Sequence, residues 1–217
     1  MPDATLETAA ELHRRGDVDE AARQCERVLL SQPDNAIAQN MMGVLRGLQG
    51  RLDDAAAAFA RAVALQPRTA EHHRNLALTL SRQGHHGAAA ESFHRAATLR
   101  PSAAALGEAA DAALRAGRHA EAAQDYRAAL SMVPDDAALH FGLGAALMGQ
   151  DRAAEATVAF TRALELDPTR AAAWVRLAAA QRALGATEAA IDAYRKAVAI
   201  RPDLADAHFA LGNTLAS

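Results

Sequence analysis

The chain is poor in the residues that build disulfides, metal clusters and membrane spans. Cys25 is its only cysteine, so no disulfide can form within the chain and no cysteine-based zinc site can be assembled. No apolar run approaches the ~20 residues that a membrane-spanning helix needs. The first residues also lack the basic-then-apolar order of a secretory signal. We therefore expect a cytoplasmic protein that does not associate with membranes.

An excess of positive charge is also absent. The 23 Lys and Arg residues are matched by 26 Asp and Glu residues, and neither half of the chain is basic. Nucleic acid is therefore not an expected partner, because phosphate binding requires clustered positive charge. Lys196 is the only lysine, and this arginine- and alanine-rich composition indicates a bacterial source.

What the chain does have is a repeat. Six of its seven prolines recur at intervals of 34, 34, 33, 34 and 34 residues, and a second series, glycine in all but one case, lies 17 residues ahead of each proline. Proline cannot continue a helix, and glycine can take the left-handed conformation that ends one. Each unit should therefore hold two short helices, which indicates a stacked repeat array. The two series are Pro33, Pro67, Pro101, Pro134, Pro168 and Pro202, and Gly16, Gly50, Gly84, Gly117, Asp151 and Gly185.

The positions of these prolines and turn residues predict thirteen helices. They are predicted at about 3–14, 18–31, 35–48, 52–65, 69–82, 86–99, 103–115, 119–132, 136–149, 152–166, 170–183, 187–200 and 204–215.

The second helix of each unit carries its own pattern of side chains. A column of alanines is followed four residues later by a larger side chain and three residues after that by a small one, which places all three on one helix face. Alanine allows helices to approach closely, and the aromatic ring fills the space between them. The first two columns are Ala21, Ala55, Ala89, Ala122, Ala156 and Ala190, and Cys25, Phe59, Phe93, Tyr126, Phe160 and Tyr194.

These columns resemble the tetratricopeptide repeat, whose pattern is W-x2-L-G-x2-Y, then A-x3-F, then P. The sixth copy is the closest, with Trp174, Leu177, Gly185, Ala190, Tyr194 and Pro202 in place. The resemblance implies an all-α, right-handed superhelical solenoid. It covers residues 1–217 as one array, with repeats at about 2–35, 36–69, 70–102, 103–136, 137–170 and 171–204 and a terminal helix at 205–217. The tryptophan slot of the other copies holds Thr5, Gln39, His73, Leu106, His140 and His208.

One repeat is a residue short. The missing residue lies between Pro101 and Gly117, because every glycine-to-proline interval is constant. It shortens either the linker or the first helix of the fourth repeat. We expect either a local change of twist, and with it a hinge, or a deletion that the linker absorbs.

The resemblance also implies where a ligand binds. In this family the first helices line a concave groove, and the groove is predicted to hold a protein or peptide partner. The side chains assigned to it are Ile37, Asn40, Met41, Val44, Arg74, Asn75, Leu78, Arg82, Asp111, Arg115, Phe141, Met148, Val175, Arg176, Arg182, Phe209 and Asn213.

Two sets within the groove have alternative interpretations. Phe141, Val175 and Phe209 share one slot, so they form either an apolar seam for an amphipathic helix or extended peptide, or a packing surface between neighbouring helices. Arg82 and Arg115 share another slot and either clamp a carboxylate or phosphate or are ordinary solvated charges.

Catalysis is not expected from these residues. No serine lies in a nucleophile elbow or a phosphate loop. His86 and His119 share a turn slot in successive repeats, but too few further ligands accompany them for zinc, so neither a metal nor a cofactor is predicted.

The sequence therefore predicts a protein-interaction scaffold without catalysis of its own. The alternative is an N-terminal, substrate-recruiting module of a larger transferase, because the repeats resemble those that precede catalytic domains in bacterial O-GlcNAc-transferase-like glycosyltransferases and in sulfotransferases. The terminal helix carries the apolar residues Phe209, Leu211 and Leu215. Either this helix caps the array imperfectly or the chain continues past Ser217, and the second is the expectation. A third hypothesis is self-association through helix 205–217.

Overall fold

A computed structural model describes residues 3–216, and over this range the chain is built from thirteen α-helices without a strand. Every helix end lies within one residue of its predicted position, so the all-α repeat fold is confirmed. The helices are α1 (Asp3–Arg15), α2 (Val18–Ser31), α3 (Ala36–Leu48), α4 (Leu52–Leu65), α5 (Ala70–Arg82), α6 (His86–Leu99), α7 (Ala103–Arg115), α8 (His119–Met132), α9 (Ala137–Met148), α10 (Ala153–Leu166), α11 (Ala171–Ala183), α12 (Thr187–Ile200) and α13 (Ala205–Leu215).

The helices form two compact units. One unit ends at Pro101 and contains α1 to α6, and the other begins at Ser102 and contains α7 to α13. Within each unit every helix packs against the next one in the chain, and α3 with α5, α7 with α9 and α9 with α11 also contact each other. The boundary falls at the linker of the short repeat. The assignment of residues 1–217 to a single array stays a prediction.

The turn between the two helices of a repeat has the same geometry in each copy. Gly16 has a φ of +86°, and the Asp17 N–H after it donates to the Leu12 carbonyl at 2.9 Å. This arrangement closes the end of the first helix and requires a left-handed residue. Asp151, which replaces glycine in one copy, takes a φ of +57°, as an aspartate can. The prediction of a left-handed turn in every repeat is therefore confirmed.

The missing residue lies in the linker and not in the helix. Two residues separate Pro67 from α5, but only Ser102 separates Pro101 from α7. Helix α7 keeps 13 residues, the length of α5. Ser102 spans the shortened connection in an extended conformation, with φ −158° and ψ 156°, and its Oγ accepts a hydrogen bond from the Ala105 N–H.

The core of each repeat combines small residues with an aromatic ring. All six residues of the alanine column are completely buried. The ring of Phe160 lies directly over Gly144 of the preceding helix, so that a Cβ there would come within 2.5 Å of the ring, and Phe59 covers Gly43 in the same way. The close helix approach inferred from the sequence pattern is therefore present in the described structure.

The tryptophan slot is defined by a hydrogen bond. In five repeats, a side-chain nitrogen of the residue in this slot lies 2.8–3.1 Å from the carbonyl oxygen of the proline six residues earlier. The five residues are Gln39, His73, His140, Trp174 and His208. Each of the three histidines therefore acts as a structural N–H donor. Trp174 is half-buried, with Lys196 Nζ 4.4 Å above its ring, so it borders the core instead of filling it.

Candidate functional site

The first helices of the 1–101 unit expose apolar side chains on neighbouring surfaces. Ile37 on α3 is 60% exposed, and Leu78 on α5 is also exposed. The two helices are joined by a hydrogen bond in which Asn75 Nδ2 donates to Asn40 Oδ1 at 3.0 Å. We call this surface, carried by α1, α3 and α5, the first-helix face of the 1–101 unit.

Other predicted groove residues of this unit contribute to packing. Met41 is half-buried and packs against the core cluster that contains Leu45, and Val44 is half-buried as well. Arg74 and Arg82 are exposed. The predicted residues of this unit therefore occur together on adjacent helices, but only part of each set faces solvent.

The slot shared by Phe141, Val175 and Phe209 differs between repeats. Phe141 on α9 is half-buried, its ring centroid lies 5.8 Å from that of Phe160, and the Arg170 guanidinium lies 4.2 Å above it. Val175 on α11 is half-buried against the cluster around Tyr194. Phe209 on α13 is 73% exposed. The seam is thus mostly a packing surface, and Phe209 is its solvent-facing member.

Asp111 has a structural partner. The Tyr126 hydroxyl donates a hydrogen bond to the Asp111 carboxylate, which links α8 to α7. Burial raises the pKa of the Tyr126 hydroxyl far above its usual range, and the bond to Asp111 adds to the increase. The hydroxyl therefore stays protonated and keeps donating, and Asp111 is less available to a ligand than its exposure indicates.

The remaining predicted residues belong to α7, α9, α11 and α13, which carry the first-helix face of the 102–217 unit. Met148 is half-buried against the cluster around Leu147, and Asn213 is exposed. Arg115, Arg176 and Arg182 are exposed and form no ion pair with a described residue. They are therefore the freest cationic side chains of this face.

Sequence reasoning missed two features. Arg170 caps α11 and covers Phe141, a contact that depends on the packing of consecutive repeats and has no signal in the spacing. On the opposite side of the 102–217 unit, a cleft of about 610 Å³ lies between α8, α9 and α10. Val158, which is 71% exposed, lines this cleft. The same position in the other second helices holds four polar residues and one alanine, namely Arg23, Ala57, Glu91, Gln124 and Asp192.

Neither a metal centre nor a membrane span is found in residues 3–216. No three His, Cys, Asp or Glu side chains of this part are placed to hold a metal ion. No helix that the structure describes has both the length and the apolar character to cross a bilayer.

The architecture is that of a helical-repeat protein, with pairs of antiparallel helices joined by left-handed turns. The family model described as "Tetratricopeptide repeat" matches residues 6–68, 41–104, 74–137 and 108–159, and a second, described as "TPR repeat", matches residues 179–217. The chain belongs to the tetratricopeptide repeat family.

Solved structures share the fold at low sequence identity. YrrB, described as "a TPR protein with an unusual peptide-binding site", is 19% identical, with a TM-score of 0.74 over 87% of this chain and 98% of YrrB. A fragment of MamA from Desulfovibrio magneticus is 18% identical, with a TM-score of 0.69 over 78% of this chain and 97% of the fragment. PilW, a type IV pilus biogenesis factor, is 20% identical, with a TM-score of 0.66 over 99% and 98% of the two chains. No curated protein sequence matches significantly.

Proposed function

We propose that this chain is a non-catalytic protein-interaction module that binds a peptide or an amphipathic helix of a partner protein in a concave groove lined by its first helices. The observation that carries the proposal is the exposure of Ile37, Leu48 and Leu78 on the adjacent helices α3 and α5. Neighbouring exposed apolar side chains on a stable scaffold are typical of protein-binding surfaces. The similar fold of YrrB, which is described as having a peptide-binding site, agrees with this proposal.

The first-helix face also offers polar groups for orientation. The bond between the side-chain amides of Asn40 and Asn75 does not use the Nδ2 group of Asn40 or the Oδ1 atom of Asn75. These groups match the N–H and C=O of a peptide backbone, while Ile37 and Leu78 match apolar side chains. A role as the recruiting module of a larger transferase stays an alternative prediction, and so do the cytoplasmic location and self-association through helix 205–217.

The test is a selection of random displayed peptides on the immobilised chain, followed by affinity measurements with variants. Ile37→Arg and Leu78→Arg should lower the affinity for the selected peptides about tenfold or more, because each places a charge where the bound peptide would bury an apolar side chain. Val158→Arg is the control, since Val158 is also an exposed apolar residue but lies in the cleft between α8, α9 and α10, away from the first-helix face of its own unit. Peptides that lose affinity only with Val158→Arg, or a chain that selects none, would refute the groove.

Phe209→Arg is the corresponding probe in the 102–217 unit. Phe209 is exposed, so its replacement should change binding and leave helicity intact. Phe141→Arg is a poorer probe, because Phe141 packs on Phe160 beneath Arg170 and its loss disturbs the repeat.

A further inference from the structure

The charges of the 102–217 unit are distributed unevenly between its two sets of helices. Six of its arginines lie on the second helices or at their caps, and each of these forms an ion pair. The three arginines within the first helices, Arg115, Arg176 and Arg182, are exposed and pair with no described acid. The six paired arginines are Arg118, Arg127, Arg152, Arg162, Arg195 and Arg201.

Helix α11 is the centre of this unpaired charge. It contains Arg176 and Arg182 and no acidic residue, and its neighbour α9 contains no Asp, Glu, Lys or Arg. On its other side, α13 contributes one acid, Asp206, which lies in the first turn of that helix. Helix α7 carries two acidic residues, Glu108 and Asp111, but α9 separates that helix from α11, and Asp111 already accepts a hydrogen bond from Tyr126. The surface over α9 and α11 is therefore both apolar and locally cationic.

The two arginines border a narrow strip of small side chains. They are six positions apart in the helix, which is about 9 Å along the axis and about 120° around it. Around the helix, Ala172, Val175 and Ala179 fall in the angular sector between the two arginines, and all three are exposed or half-buried. A segment that lies over this strip would meet a shallow apolar centre with a guanidinium group at each edge.

We propose that this strip binds an acidic amphipathic segment of a partner protein, with an apolar side chain on Val175 and carboxylates on Arg176 and Arg182. The proposal rests on the groove function proposed above and adds the chemistry of the partner. Arginine binds carboxylates through two parallel N–H···O bonds, and here neither guanidinium must first leave an internal partner. An acidic segment should also associate faster at low salt, because the exposed charges steer its approach.

The experiment compares peptide pools selected from one random displayed library. The full chain, the Arg176→Glu/Arg182→Glu double variant and the control Arg195→Glu are each used as bait, with circular dichroism as the check that all three are helical. Arg195 is also an exposed arginine, but it is on α12 and pairs with Asp192. The wild-type and control pools should be enriched in Asp and Glu beside apolar residues, and the double variant should lose that enrichment.

Synthetic peptides from the wild-type pool then give the size of the effect. Their affinity for the double variant should be lower than for the wild-type chain by about tenfold or more, and their affinity for the control should stay within about twofold of the wild-type value. The affinity for the wild-type chain should also fall when NaCl is raised from ~0.05 to ~0.5 M. Apolar pools without acidic enrichment that still depend on Ile37 or Phe209 would overturn the charge inference and leave the groove function standing. Selected peptides that ignore every first-helix variant would overturn both, and so would a failure to select any.

Discussion

Two glycines in the same slot of different repeats should respond to alanine in opposite directions. A Cβ at Gly144 would lie 2.5 Å from Phe160 Cε1, and that ring is fully buried and packed against Phe141. Helix propensity favours alanine by about 0.5–1 kcal/mol, but overpacking a filled core costs about 1–3 kcal/mol. We expect Gly144→Ala to lower the free energy of unfolding by about 1–2 kcal/mol. At Gly212 nothing lies within 4 Å, so Gly212→Ala should raise it by about 0.5–1 kcal/mol.

Urea and thermal unfolding followed by circular dichroism measure both effects. For a chain of this size 1 kcal/mol corresponds to about 2–4 °C in Tm, so the two variants should differ by about 3–12 °C. Phe160→Leu should be less destabilising in the Gly144→Ala background than in the wild type, because a flexible side chain can move away from the new methyl group. Four other repeats carry alanine in this slot (Ala9, Ala77, Ala110 and Ala178), so the predicted loss of stability depends on the position of the ring at Gly144 and not on the slot alone. If Gly144→Ala stabilises the chain as Gly212→Ala does, the fixed position of the Phe160 ring is wrong.

Three further predictions concern buried or bonded groups. Burial raises the pKa of the Cys25 thiol to about 11, so a thiol reagent at pH 8 should modify the native chain at least about 100-fold more slowly than the urea-unfolded chain, and equal rates would contradict its burial. Burial lowers the pKa of His72, which disfavours its charged form in the folded chain. The contribution of neutral His72 to the free energy of unfolding should therefore be fully present above about pH 6.5 and be lost as the pH falls towards the pKa of His72 in the folded chain. His72→Gln should reduce this pH dependence in urea titrations. Trp174→His should keep the hydrogen bond to the Pro168 carbonyl, which Trp174→Phe cannot form. In urea titrations the free energy of unfolding of Trp174→His should therefore be higher by about 1 kcal/mol, and the reverse order would disprove the role of that bond.

The sequence predicted the helices closely because their boundaries depend on local chemistry. Proline and a left-handed turn residue act on their own backbone, so Pro33 and Gly16 mark helix ends without knowledge of the packing. The candidate site was less predictable, since exposure depends on neighbours. Phe141 and Phe209 occupy the same slot, yet one is covered by Arg170 and the other is open to solvent. The partner of Asp111 was also hidden, because Tyr126 reaches it from another helix.

The hydrogen bond of the tryptophan slot changes how divergent repeats of this kind should be recognised. Tryptophan, histidine and glutamine have little in common on a substitution scale, but in this chain each brings one N–H to the same proline carbonyl. In the five copies that form this bond, the side chains share the reach of an N–H donor and not their size or hydrophobicity. A profile that scored donor geometry would accept these residues equally, and it would find repeats that a tryptophan-based motif overlooks.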